Sequence, residues 1–213
     1  MNRRTLSLLM GTLMSLAMLA ATPLVRAAAD EAPDALIKRI SVDVLDNIKA
    51  DKAIQGGDVS RVIALVDTKI MPNVDFTRMT ASAVGRNWRQ ATDEQKKRLQ
   101  EEFKTLLIRT YSGALAQVKE QNINVKPLRG ATAADTELVV RTEITGNGDP
   151  VQLDYRMEKT PTGWKIYDLN VLGVWLVETY RTQFAQEINA KGVDGLIASL
   201  AQRNKSNVAA KKS

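Results

Sequence analysis

The sequence predicts a single α+β domain: a curved antiparallel sheet of about four strands with helices packed mainly on one face. Three observations carry that expectation. Apolar residues recur at helical spacing from Leu36 to Val118, alternate with polar ones from Ile123 onward, and return to helical spacing after Gly173. Two strong turn signals, Gly146-Asn147-Gly148-Asp149-Pro150 and Pro161-Thr162-Gly163, divide the alternating region into hairpins. Behind an N-terminal leader, about 185 residues remain, enough for one good-sized core.

The leader is residues 1–29. Arg3 and Arg4 form a positive start, Leu6 to Leu19 is almost uninterrupted apolar sequence, and Val25-Arg26-Ala27 or Ala27-Ala28-Ala29 supplies small residues for cleavage. Pro23 and Arg26 interrupt the apolar run too early for a membrane span. Export with cleavage is therefore expected. The chain has no cysteine, so it offers no lipoprotein acylation site and no disulfide framework. Its net charge is +6, and the leader holds three arginines and no acid, which leaves +3 on the remainder. Lys205, Lys211 and Lys212 lie in a polar tail, residues 205–213, expected to be disordered. The domain of residues 30–204 is then nearly neutral, which argues against nucleic acid as a partner.

Within the domain, Leu36, Ile37, Ile40, Val44 and Ile48 mark a first helix after Pro33-Asp34, and Val59, Ile63 and Val66 a second after Asp58. Asp75 to Val84 reads as a third, ended by Gly85. Thr92 and Gln95 make a capping box opening the longest helix, to about Val118. Its apolar stripe is too wide for one neighbour. Strands follow over Ile123 to Leu128, Leu138 to Ile144, Val151 to Glu158 and Trp164 to Val171, most simply as a meander. Helices are expected again at about Val174 to Asn189 and Val193 to Gln202.

The absence of His and Cys removes triads, thiol nucleophiles and imidazole metal ligands; no phosphate-binding glycine loop is present. A binding protein is favoured over an enzyme. The enzymatic alternative rests on Asp154 and Asp168 beside Tyr155 and Tyr167, a carboxylate–phenol arrangement able to move a proton in an apolar pocket. Against it, Asp154 falls on the polar face of its strand, whereas Asp168 shares a face with Trp164 and Ile166 on simple alternation. Lys96, Lys97 and Arg98 read as a solvated helix face, or as a docking patch for an acidic partner. A solid-core scaffold of the envelope fits the same pattern, because hollow and filled versions of this layout differ little in sequence.

Several stretches carry a resemblance: Asp154 to Ile188, Val74 to Gln95, the helix Phe103 to Leu115 and the closing Gly192 to Leu196. Together, in this order and covering about residues 35 to 204, the chain resembles the MlaC family of toluene-tolerance (Ttg2-type) lipid carriers. The resemblance implies a soluble periplasmic, non-enzymatic protein with an apolar pocket for a diacyl phospholipid and no cofactor or metal. It implies docking at an outer-membrane lipoprotein–porin complex and at an inner-membrane ABC transporter with its substrate-binding subunit, in the service of outer-membrane lipid asymmetry. On this reading Phe103, Leu106, Leu107, Tyr111, Leu153, Tyr155, Met157 and Ile166 line the pocket, and Val174, Trp175 and Tyr180 close one side. Arg86, Arg109 and Arg181 are the candidates for the lipid head group.

Overall fold

The computed structural model describes residues 31–209 apart from 119, 133 and 147. The leader and the end of the tail lie outside the described residues. Aspartate caps start the short helices that follow the first one. Helix α1, Pro33–Ala50, starts with proline at its first position and buries Leu36, Ile37, Ile40, Val44 and Ile48. Asp51 then accepts from the amides of Ala53 and Ile54 to start α2, Lys52–Gln55, and Asp58 does the same at Ser60 and Arg61 for α3, Val59–Leu65. The chain continues through a π-helical turn, Val66–Ile70, and a 3-10 turn, Met71–Asn73. Asp75 caps α4, Phe76–Val84, which stops at Gly85 with φ 68°, where a side chain would be strained.

The expected capping box is present. Thr92 accepts from the Gln95 amide and Gln95 accepts from the Thr92 amide, opening α5, Asp93–Ala116. The sheet follows as five strands in sequential antiparallel order: β1 Asn122–Val125, β2 Glu137–Thr145, β3 Val151–Thr160, β4 Gly163–Val171 and β5 Val174–Trp175. The fifth strand is two residues long. It falls where the sequence predicts the start of a helix, because Leu172 at φ 54° and Gly173 at φ 87° turn the chain back onto β4. That turn matches the right-handed twist of a two-residue hairpin.

Helix α6, Leu176–Ala209, breaks at Gly192, where φ is 71° and ψ −177°. Its second part continues past residue 204, where the sequence predicts the tail to begin. Neither proline nor glycine interrupts residues 205–209, and the Ser206 hydroxyl donates to the Gln202 carbonyl.

One face of the sheet is apolar and carries Val140, Tyr155, Met157 and Ile166 against α1 and α3. A second apolar cluster joins α4, α5 and α6 around Phe103, Phe184, Leu99 and Met79. Between β3 and β4 the pairing runs Arg156 with Asp168 and then Met157 with Ile166, leaving Tyr167 as an extra residue. This bulge reverses the alternation of β4. Asp168 consequently lies on the polar face with Arg156, not beside Trp164 and Ile166 as simple alternation predicts. No helix among the described residues is long and apolar enough to cross a membrane.

Candidate functional site

At the seam between the two apolar clusters the interior is hollow. A cavity of about 510 Å³ lies between the π-turn segment, one face of α5 and the open ends of β2, β3 and β4. Its wall is built from Val66, Ile70, Met71, Val74, Phe76 and Met79 on one side and Leu107, Ile108, Tyr111, Ala114 and Leu115 of α5, with Val118 just past its end, on another. Ile144, Val151, Leu153, Leu169 and Val171 form the sheet side, and Leu176 adds the start of α6. The polar groups on the lining stand near the ends of the α5 stripe: Lys104 at one, and Gln117, Gln121, Thr145 and Asp149 toward the other. From Lys104 to Ala116 the helix rises about 18 Å, a little longer than one leaflet of a bilayer whose hydrocarbon is about 30 Å thick. Volume and lining are those of a ligand site.

Most wall residues belong to the two clusters, Val66, Met79, Ile108 and Leu176 as buried members and others as partly buried neighbours. Leu107 and Tyr111 belong to the helical cluster, Leu115 and Leu153 to the sheet cluster, and Val74 and Leu169 touch both. Burial on the α5 side raises the Tyr111 phenol above its ordinary range. A second cleft of about 660 Å³, between α1, α2 and α3, is more open and is bordered by Asp51, Lys52 and Arg61. Its mixed lining suits water better than apolar cargo.

Of the residues that the resemblance assigns to the pocket, Leu107, Tyr111 and Leu153 border the cavity. Phe103 and Leu106 point from the adjoining flank of α5 into the packed cluster, where the Phe103 ring lies 4.9 Å from Tyr180 and 5.1 Å from Phe184, edge to face. Tyr155, Met157 and Ile166 share the apolar face of the sheet but are sealed inside the packed cluster and do not border the cavity. The Tyr155 hydroxyl bonds Ser41 and Thr142, and full burial pushes its pKa up to about 12. Val174 is exposed on the β4–β5 hairpin, and Trp175 lies under the Arg156 guanidinium, 3.9 Å from the ring centre.

None of the three arginine candidates borders the cavity. Arg86 is exposed on the turn after α4, and Arg181 donates to the Ser82 carbonyl at 2.9 Å. Arg109 is half-buried, with its Nε sealed from solvent. Lys96 pairs with Asp93 at 3.2 Å, while Lys97 and Arg98 are exposed.

Both aspartates of the enzymatic alternative are committed elsewhere. Asp154 accepts from the Thr142 amide and from Gln152 Nε2. Asp168, 1% exposed, accepts from the amides of Leu169 and Val177 and from Arg156 Nη1 at 2.9 Å, so it caps α6 from a neighbouring strand. Its burial holds the carboxyl above the usual carboxylate range, against the pull of those donors. Tyr167 bonds Glu137 and lies under the Arg78 guanidinium at 3.7 Å. Among the described residues no group of carboxylates is placed to hold a metal ion.

The cavity wall falls within the part of the chain, residues 38–202, that matches the family model for MlaC protein. The chain belongs to the MlaC family. The toluene tolerance protein ttg2D of Pseudomonas putida is 29% identical over 181 residues, covering 84% of this chain and 83% of that protein. The intermembrane phospholipid transport system binding protein MlaC of Haemophilus influenzae is 23% identical over 181 residues, 83% of this chain and 84% of that one. A solved phospholipid-binding protein from Ralstonia solanacearum, in complex with a phospholipid, superposes with a TM-score of 0.81 at 50% identity, over 84% of this chain and 99% of that one.

Sequence reasoning missed most of the wall, including Met71, Val74, Phe76, Ile144, Val151, Leu169 and Lys104. The one available signal was the width of the apolar stripe on α5, which demands neighbours on two sides.

Proposed function

We propose that this chain is a phospholipid carrier of the bacterial periplasm, exported by its leader and loaded with lipid tails in the cavity between α5 and the sheet. The observation that carries this reading is the 510 Å³ aliphatic cavity of a chain half identical to a protein holding a phospholipid. Burial is worth roughly 0.8 kcal/mol per methylene, so two long acyl chains represent on the order of 20 kcal/mol of apolar transfer. That magnitude is near the ceiling of non-covalent affinity, and escape into water is correspondingly slow. A bilayer offers the tails an equal environment, so the hydrophobic effect sets no direction of transfer. Hand-over therefore requires docking to membrane partners. Membership of the family supports an outer-membrane lipoprotein–porin complex on one side and the substrate-binding subunit of an inner-membrane ABC transporter on the other.

A charge on the wall separates this reading from that of a scaffold with an idle void. Leu153→Lys at the sheet side of the cavity should abolish loading from phospholipid vesicles while the far-ultraviolet circular dichroism stays that of the parent, because the ammonium has empty space to occupy. Normal loading by a folded Leu153→Lys variant would refute the assignment of the cavity to the lipid.

A further inference from the structure

The cavity wall is almost entirely hydrocarbon, yet it includes a cation. Lys104 borders the cavity one turn before Leu107 and Ile108, at the N-terminal end of the lined face of α5. Its Nζ is 2.8 Å from Asp67 Oδ1, and both side chains are partly exposed, at 30% and 42%. Asp67 belongs to the π-helical turn Val66–Ile70, whose Val66 and Ile70 are themselves wall residues. The same turn is tied to α1 through Lys69 and Asp43 at 3.1 Å. Single π turns are uncommon and recur at functional sites. The other end of the lined face differs in charge. There the lining offers the amides of Gln117 and Gln121, the Thr145 hydroxyl and the Asp149 carboxylate, while Lys49 donates to the Gln121 carbonyl at 3.3 Å.

We propose that Lys104 is the phosphate anchor of the cavity, and that it exchanges Asp67 for the phosphate when a lipid enters. The proposal rests on the carrier reading and adds to it the end at which the head group lies. A phosphate at the Lys104 end meets an ammonium held only by a partly exposed carboxylate; at the opposite end it meets the Asp149 carboxylate. The exchange is cheap, because a partly exposed lysine–carboxylate pair is weak and a phosphate offers charge-assisted bonds of at least equal strength. Releasing Asp67 also removes the ion pair between α5 and the π turn. Phosphate binding and loosening of that wall are thus one event.

The test uses the protein purified as the cell processes it, stripped of lipid, and offered mixed micelles of phosphatidylglycerol and the diacylglycerol with the same acyl chains. Bound lipids are counted by mass spectrometry after repurification. The parent should prefer the phosphate-bearing lipid. Lys104→Met should lower that preference about fivefold without reducing diacylglycerol uptake, and Lys104→Arg should keep it. Asp67→Asn, which frees the ammonium, should raise the preference. An unchanged preference in Lys104→Met would overturn the proposal, as would its loss in Lys49→Met instead. A parent that takes up neither lipid would overturn the carrier reading itself, a separate result.

Discussion

On one face of α5, Leu99, Phe103 and Leu106 are sealed against α4 and α6; on the adjoining one, Leu107, Tyr111, Ala114 and Leu115 border empty space. Both faces are equally apolar in sequence. They differ in what covers them. The long helix α6 brings Tyr180, Phe184, Leu196 and Leu200 directly onto the first face. The second face looks toward the sheet across a gap, where Tyr155 and Met157 are sealed in the packed cluster while Leu153 borders the cavity. Apolar character thus decides what leaves water, and the placement of distant elements decides whether protein or ligand fills the space.

The hollow face has an energetic consequence. Voids in protein cores cost about 24 cal/mol per Å³, so a dry cavity of this size corresponds to on the order of 10 kcal/mol, comparable with the whole stability of a domain. Filling by acyl chains offsets that cost. The largest expected effect follows: stripping the lipid should lower the free energy of unfolding by about 5 kcal/mol or more, read from urea midpoints of loaded and stripped protein. Equal midpoints would mean that nothing occupies the cavity in the folded state.

Substitutions on the two faces sharpen the contrast. Phe103→Ala removes a fully buried ring with three aromatic neighbours, Phe76, Tyr180 and Phe184, and should cost about 3–5 kcal/mol. Leu107→Ala only enlarges an existing space and should cost stripped protein less than about 1 kcal/mol, while altering which acyl lengths are retained. Chemical denaturation of both variants in stripped form checks the difference; equal costs would mean that the cavity closes without lipid.

These two residues also mark how far sequence reaches. The helix, its capping box and its double-sided stripe were legible because Thr92, Gln95 and the 3.6-residue period are local signals. The four main strands were legible from alternation between clear turns. Which side of α5 is hollow was not, because Phe103 and Leu107 are one turn apart and equally apolar. The side of β4 that Asp168 occupies was equally hidden, since one bulged residue, Tyr167, reverses the alternation. Arginine was the expected phosphate ligand, and all three candidates lie off the cavity, whereas Lys104 reads in sequence as one more lysine on a charged helix.

A smaller effect concerns the filled side of the sheet. Tyr155 is raised to about 12 in the folded protein, above the ordinary 10.0. The unfolded chain therefore loses this proton first as pH rises. The contribution is fully present below pH 10 and disappears between about pH 10 and 12, a loss of about 2–3 kcal/mol. Tyr155→Phe should flatten that part of the stability–pH curve, measured by denaturation between pH 9 and 12, leaving the smaller slope of the other buried phenols. An unchanged slope would mean that the Tyr155 hydroxyl is not sealed beneath α1.

The most direct measurement is native mass spectrometry of the protein purified from its host cell, with lipid analysis of the denatured sample. A stoichiometric phospholipid adduct, lost in Leu153→Lys and kept in Leu107→Ala, is the predicted result. A bare polypeptide mass that stays bare after incubation with phospholipid vesicles would contradict the account.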